Sequence, residues 1–225
     1  MNAKNTVELH RKRRTQEERT STTRAKVIAG AIDCLYRLGY AGTTTTIIAK
    51  AAGVSRGAML HHFPTKDGLL IAVASEVLSK SLQGLSEQLL AIQDPQERLL
   101  ALPELSWADL QSPDYIAWLE ILLGTRGNEE LRQQFGQTYE AANKQAAKSM
   151  RAMAVAAGVK DLARMERMRI VVLAALRGMA IEGAITSDFK RLKPAVMEMR
   201  TMLAQVVEEQ AAVPASPPVP RSRSG

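Results

Sequence analysis

The chain has 225 residues, of which 46% are apolar and only 4% aromatic. That length is ample for a buried core in one or two domains, and the core must be aliphatic. A single cysteine, Cys34, excludes an internal disulfide and any zinc site built from a cysteine cluster. No run of about 18 apolar residues predicts a membrane span, and the basic start lacks the apolar stretch of a secretory signal. These features predict a cytoplasmic protein.

The net charge of +7 is distributed unevenly along the chain. Residues 1–67 contain 12 of the 30 Lys and Arg residues but only 5 of the 23 Asp and Glu residues, so the first third carries the whole excess. Such asymmetry indicates a basic N-terminal unit that binds a polyanion and is attached to a neutral body. A charged tail that serves only solubility is the alternative.

The first predicted element is a basic arm followed by a helix. Residues 1–20 are polar, contain the run Arg11–Arg14 and show no apolar periodicity, so they are predicted to be flexible. A helix is predicted from about Thr23 to a C-terminal cap at Gly39. Its apolar face recurs at steps of three and four residues: Ile28, Ala31, Ile32, Leu35 and Leu38.

Two short helices and a tight turn follow. Thr43 or Thr44 can cap a helix that stops at Gly53, and Ser55 can cap a second helix over Arg56–His62. Short helices joined by a turn with glycine form a helix-turn-helix, whose second helix projects far enough to enter the major groove of DNA. Thr65 can then cap a long helix.

The rest of the chain shows further helical periodicity and no strand pattern, so the predicted fold class is all-α. We expect helices over about 95–110, 114–124, 128–157, 161–185 and 189–209. Residues 210–225 are rich in Pro and Ser and are predicted to be a disordered tail.

The stretch "TTTTIIAKAAGVSRGAMLHHFPTKDGLL" resembles the DNA-binding segment of TetR-family transcriptional repressors. Residues about 24–75 fit the family pattern at Ile48-Ala49, Ala52-Gly53-Val54-Ser55, Gly57, His62-Phe63, Lys66 and Leu69. The resemblance implies an N-terminal three-helix helix-turn-helix domain, placed at residues 21–67. It also implies a helical ligand-binding and dimerisation domain, placed at residues 68–209.

Roles in DNA binding follow from this resemblance. Arg56 is expected to read guanine, Ala58 and Leu60 to meet thymine methyl groups, and Lys66 to pair with phosphate. Leu60 replaces the family's usual Tyr, and Ala58 replaces a frequent hydroxyl residue, so the operator sequence is left open. The predicted DNA contacts are Thr44, Thr45, Thr46, Arg56, Gly57, Ala58, Leu60, His61, His62 and Lys66. The Arg11–Arg14 run is a further candidate for minor-groove or phosphate contacts.

The adjacent histidines, His61 and His62, also raise the question of a metal site. Neighbours on a helix point about 100° apart, whereas metal sites favour i, i+4 spacing, so DNA contact is the preferred interpretation. One of the two could instead pack beside Phe63. No catalytic set, phosphate loop or metal cluster is recognisable, so we expect neither an enzyme nor a cofactor.

A ligand cavity is predicted where aromatic residues gather on adjacent helices of the second domain. Ordinary core packing is the alternative for each of these side chains. Arg177 lies within an apolar run and could pair with Glu182, bind a ligand carboxylate or extend to the surface. The predicted lining residues are Trp107, Tyr115, Trp118, Phe135, Tyr139, Met150 and Arg177.

The last two predicted helices are apolar on more than one side and are expected to pair with a second chain. The residues expected there are Ile170, Leu173, Leu176, Val196, Met199, Leu203 and Val206. A homodimer would place two recognition helices about 34–36 Å apart on a palindromic operator. The predicted function is a repressor released from double-stranded DNA by a small apolar effector. The alternatives are a non-specific nucleoid-type DNA-binding protein and a helical small-molecule-binding protein.

Overall fold

The computed structural model describes the backbone of residues 3–211 and the side chains of residues 20–209. Within this range the protein has ten α-helices, two short 3-10 helices and no strand, which confirms the all-α prediction. None of these helices is both long and apolar enough to cross a membrane. The helices are α1 (Ala3–Gly42), α2 (Thr45–Ala51), α3 (Arg56–His62), α4 (Lys66–Ala91), α5 (Pro95–Leu100), α6 (Leu102–Leu110), α7 (Pro113–Gly124), α8 (Glu129–Ala156), α9 (Leu162–Thr186) and α10 (Lys193–Ala211).

Side-chain caps set the starts of the short N-terminal helices, as the sequence predicts. The Thr44 hydroxyl accepts a hydrogen bond from the backbone N–H of Ile47 at 3.3 Å. The Ser55 hydroxyl accepts one from Ala58 at 3.1 Å, which starts α3. A free N–H in the first turn is satisfied each time, and each cap is worth about 1 kcal/mol.

Three helix boundaries differ from the prediction. The backbone of α1 begins at Ala3, so this helix covers most of the segment assigned to the arm. The side chains of residues 1–19 and the whole of residues 212–225 lie outside the described part, so the arm contacts and the tail stay predictions. The predicted helix over 95–110 is two helices that meet at Ala101, because Pro103 in the first turn of α6 lacks the N–H that a continuous helix needs. The last predicted helix begins with a 3-10 turn at Lys190–Leu192.

The helix-turn-helix packs on the second half of α1. The side chains of Val27, Leu35, Ile48 and Met59 are fully buried in this small core. Gly30 lets α1 approach α2, because a Cβ atom there would lie 2.9 Å from the backbone nitrogen of Ala52. The turn between α2 and α3 uses Gly53 at φ +65°, a left-handed conformation that glycine adopts without strain.

The end of α1 joins the helix-turn-helix to the second domain through contacts with α7. Gly39 interrupts the helix at φ +69°, which confirms its predicted role as the end of the regular helix. The next backbone N–H, that of Tyr40, donates a hydrogen bond of 2.8 Å to the Glu120 carboxylate on α7. The Tyr40 ring lies against Gly124, and Asn128 donates to the Asp67 carboxylate at 2.7 Å.

The second domain is formed by α4–α10, with its core continuous with that of the first. Several apolar residues predicted to pair with a second chain are instead buried inside this one, because α9 and α10 pack against α6, α8 and α5. These residues are Leu176, Val196, Met199, Leu203 and Val206. Ile170 does remain exposed, together with Val171 and Ile185 on α9.

The contact of Tyr40 with α7 can be tested at Gly124. In Gly124→Ala the new methyl group would overlap the Tyr40 ring, so we expect the free energy of unfolding to fall by about 1–3 kcal/mol. Urea denaturation followed by circular dichroism measures it. Gly127→Ala is the matched control, because a Cβ atom at Gly127 meets nothing within 4 Å. Equal stability of the two variants would contradict close packing of Tyr40 on α7.

Candidate DNA-binding surface and ligand cavity

One face of α3 is buried and the other is presented to solvent. Met59 is fully buried under the helix, while Arg56 and His61 are exposed. Ala58, Leu60 and His62 are partly exposed at the edges of the same helix. The helix therefore projects the predicted base-reading side chains outward, as a recognition helix must.

The start of α2 contributes hydroxyl groups to the same helix-turn-helix. Thr44 and Thr46 are exposed and Thr45 is half-buried. They lie at the positive end of the helix, where backbone N–H groups and hydroxyls favour an anion such as phosphate.

Gly57 has no packing role inside the protein. A Cβ atom at this position would meet nothing within 4 Å, whereas Gly30 is held against Ala52. Gly57 is therefore not required for the packing of α2 against α3, whereas Gly30, which the motif does not indicate, is required for the approach of α1 to α2. The space beside Gly57 is available to an external partner.

The two histidines are neighbours in an edge-to-face arrangement. Their ring centroids are 5.5 Å apart with an interplanar angle of 73°. In the part of the chain that the structure describes, no group of three His, Cys, Asp or Glu side chains is placed to hold a metal ion. Phe63 is buried behind them, and the guanidinium of Arg24 lies 5.5 Å from its ring. Arg24 adds an exposed cation near the end of α3 that the motif alone does not indicate.

Lys66 is directed toward the end of α1. Its ammonium group donates to the backbone carbonyl of Tyr40 at 3.4 Å and lies 4.6 Å from the centroid of the Tyr40 ring. Partial burial lowers the pKa of Lys66, and the neighbouring Asp67 opposes this shift. In this conformation Lys66 joins α4 to α1, and its contact with phosphate stays a prediction.

A cavity of about 650 Å³ lies in the second domain, within the usual size range of small-molecule sites. Residues from each of the helices α4–α10 line it, and most of its wall is aliphatic. Four of the predicted lining residues are present there: Tyr115, Tyr139, Met150 and Arg177. Polar side chains that the sequence did not single out also line it: Ser81, Arg98, Asp109 and Arg169.

The other three predicted lining residues lie elsewhere. Trp118 is fully buried behind the cavity wall, with its ring centroid 5.6 Å from that of Phe135. The ring centroid of Trp107 lies 6.0 Å from that of Phe189, and Trp107 lines a separate groove between α6 and α10. Ordinary core packing, the alternative stated for each of these residues, is therefore the outcome for Trp118 and Phe135.

Arg177 is held at the cavity wall by aromatic side chains. Its guanidinium donates to the Tyr115 hydroxyl at 2.9 Å and to the Tyr139 hydroxyl at 2.8 Å. It also lies 5.1 Å from the centroids of the Trp118 and Tyr139 rings. Burial alone would lower the pKa of Arg177, but the two tyrosines outweigh it and the pKa is raised, so the side chain stays charged. Glu182 pairs with Arg191 instead of Arg177.

Known proteins resemble both parts of this arrangement. Residues 27–73 match the family described as "Bacterial regulatory proteins, tetR family". The transcriptional regulator CymR of Pseudomonas putida is 56% identical over 61 residues, which are 27% of this chain and 30% of CymR. The repressor AcnR of Corynebacterium glutamicum is 28% identical over 106 residues, 47% of this chain and 50% of AcnR. The matches therefore span about a third to a half of these relatives' length.

The fold is shared over a longer range. The transcriptional regulator FadR of Bacillus subtilis, solved in complex with stearoyl-CoA, superposes with a TM-score of 0.63 at 19% identity. The superposition covers 78% of this chain and 96% of FadR. It establishes that the second domain has the helical architecture of such regulators.

The cap at the start of α3 supports the exposed surface and can be tested directly. Ser55→Ala removes the acceptor for the Ala58 N–H, so we expect a loss of about 1 kcal/mol in the stability of the helix-turn-helix. Hydrogen exchange of the α3 amides measures it. Ser79→Ala, at an exposed position within α4, should leave exchange unchanged. Identical α3 exchange in Ser55→Ala and the unmodified protein would rule out the cap.

Proposed function

We propose that the chain is a transcriptional repressor that a small molecule releases from a palindromic operator, since residues 27–73 match the tetR family of bacterial regulatory proteins. The observation that carries this proposal is the outward-facing α3 in a helix-turn-helix unit that Tyr40 and Glu120 join to a domain with a ligand-sized cavity. CymR and AcnR, to which parts of this chain are similar, carry regulator and repressor in their names.

Arg56 supports sequence-specific recognition. Its side chain is exposed at the start of α3, and no carboxylate lies within 4 Å of it among residues 20–209. The guanidinium is therefore available for paired hydrogen bonds to guanine in the major groove. The positive excess of the first 67 residues favours the approach to DNA without selecting its sequence.

The proposed homodimer uses an exposed stripe on α9. Val171, Ala174, Gly178 and Ile185 recur at helical spacing and are all exposed in the single chain. Small residues in the middle of the stripe allow two helices to approach closely, while the larger apolar side chains would be buried between them. Two copies of α9 and α10 would form a four-helix bundle, as in many helical dimers.

The proposed release of DNA passes through α7 as well as α4. Tyr115 on α7 lines the cavity, and Glu120 and Gly124 on the same helix hold Tyr40. An effector that binds the released state more tightly would shift α7 and, with it, the spacing of the two recognition helices. Release by a factor of ~100 corresponds to ~2.7 kcal/mol of coupling.

Arg56 gives the direct test of DNA recognition. A palindromic duplex is first selected by the protein from a random library, and Kd is then measured at fixed salt. Arg56→Ala should weaken binding to this duplex by about 1–3 kcal/mol and leave binding to random duplex nearly unchanged. Arg151→Ala, at an exposed position on α8, is the control. Equal affinity of the unmodified protein for selected and random DNA would indicate a non-specific DNA-binding protein, and absence of DNA binding would indicate a small-molecule-binding protein.

The α9 stripe gives the test of dimerisation. Val171 is 53% exposed in the single chain, so a charge there harms only an interface with another chain. We expect Val171→Glu to sediment as a monomer where the unmodified protein sediments as a dimer. Val155→Glu, at a position on α8 that is 57% exposed, should remain dimeric. A dimeric Val171→Glu variant would place the interface elsewhere.

A further inference from the structure

We propose that the cavity selects an apolar molecule carrying one carboxylate, which binds Arg177 between the hydroxyls of Tyr115 and Tyr139. This inference rests on the proposed ligand-binding function, and it selects the ligand carboxylate from the three alternatives that the sequence leaves open for Arg177. The geometry of three side chains from α7, α8 and α9 supports it.

The positive charge of Arg177 has no counterion among the residues that the structure describes. No Asp or Glu oxygen of these residues lies within 4 Å of its guanidinium, and both of its hydrogen-bond partners are neutral hydroxyls. Contacts with aromatic rings offset part of the cost of removing a cation from water, but they do not neutralise it. An anion in the cavity would supply the missing charge.

The hydrogen-bond donors at this site are only partly used. A guanidinium has five N–H bonds, and the structure assigns one bond to each tyrosine hydroxyl. The Tyr115 hydroxyl also remains protonated, because burial raises its pKa even though Arg177 lowers it in part. Each tyrosine hydroxyl accepts from Arg177, so its own hydrogen is available to an oxygen in the cavity. Together they form a donor set suited to a planar carboxylate.

The other charged side chains that line the cavity have hydrogen-bond or ion-pair partners within the protein, and Glu87 accepts a hydrogen bond from Gln83. Arg98 donates to the Ile92 carbonyl at 2.7 Å, and Arg169 pairs with Glu166 at 2.7 Å. Asp109 accepts a hydrogen bond from the Ser81 hydroxyl. Arg177 is therefore the lining arginine whose partners are aromatic side chains of the cavity wall, and its single charge suits a monoanion better than a phosphate group with two negative charges.

The remaining wall defines the rest of the ligand. It is formed largely by aliphatic side chains, to which an apolar chain or ring system would bind by burial from water. Apolar side chains of this wall include Leu78, Leu82, Leu89, Met150, Met153 and Leu176. The ligand class is thus a carboxylate with a hydrocarbon body that fits about 650 Å³.

The experiment uses the full chain without DNA and compares carboxylates with neutral counterparts of the same shape. Decanoate is titrated against decanamide, and naphthalene-2-carboxylate against naphthalene-2-carboxamide, by isothermal calorimetry. We expect the carboxylate to bind at least about tenfold more tightly in one pair or both, as charge-assisted hydrogen bonds predict. Equal affinities in both pairs, tighter binding of the amides, or no binding in either pair would overturn the proposal.

Variants locate the anion. Arg177→Gln should abolish the preference for carboxylate, and Arg177→Lys should retain part of it because the charge remains. Arg132→Gln, which removes an ion-paired arginine of α8 that does not line the cavity, should keep the full preference. A preference that persists in Arg177→Gln, or is lost in Arg132→Gln, contradicts the assignment. The comparison on the unmodified protein stands even where a variant does not fold.

Two further arms separate the possible outcomes. Decyl phosphate should bind no more tightly than decanoate, and tighter binding would contradict binding of a monoanion through the single charge of Arg177. Release of the selected duplex is measured separately with each compound. If the carboxylate binds but does not release DNA, the result supports this inference and contradicts the proposed function as a ligand-released repressor. DNA release by the amides alone supports the repressor and overturns this inference.

Discussion

The hydrogen bond from the Tyr40 backbone to Glu120 determines how the helix-turn-helix sits on the rest of the chain. It is possible because Gly39 takes a left-handed conformation that ends the regular part of α1 and turns the next N–H toward α7. Gly124 then leaves room for the Tyr40 ring, and Lys66 covers the ring from α4. Since packed interiors are not continuously deformable, a shift of α7 cannot be absorbed locally and must displace Tyr40.

The same helix connects this anchor to the cavity. Tyr115 lies near the start of α7 and contacts Arg177, whereas Glu120 and Gly124 lie about one and a half and two and a half turns further along and contact Tyr40. In the proposed mechanism the effector and the operator therefore act on one rigid element from its two ends. Thermodynamic linkage then requires that DNA weaken effector binding by the same factor by which the effector weakens DNA binding.

Sequence alone predicts the features that depend on neighbouring residues. The caps at Thr44, Ser55 and Thr65 and the break at Gly39 follow from side chains within a few positions of each boundary. Contacts between distant residues are not predictable in this way. Arg177 meets Tyr115 and Tyr139 across 62 and 38 residues, and only tertiary packing decides that Trp118 lies behind them instead of in the cavity. For the same reason, apolar periodicity on α9 and α10 could not separate the buried face from the exposed stripe.

The position of Arg177 in an apolar helix is unfavourable for stability alone. Its partners are neutral hydroxyls and rings, and buried charges are often replaced by hydrophobic residues of similar volume without loss of stability. The stability of the core does not depend on the Arg177 charge, because Leu176 and Ala180 on the same helix are already buried in the core. The Arg177 charge is uncompensated in an empty cavity and compensated when an anion is bound. Arg177 contacts Tyr115 on α7, the helix that also contacts Tyr40, so this change in charge occurs next to α7. A neutral ligand would not compensate the Arg177 charge. We therefore interpret Arg177 and the contact of Tyr40 with α7 as parts of one response to an anionic effector.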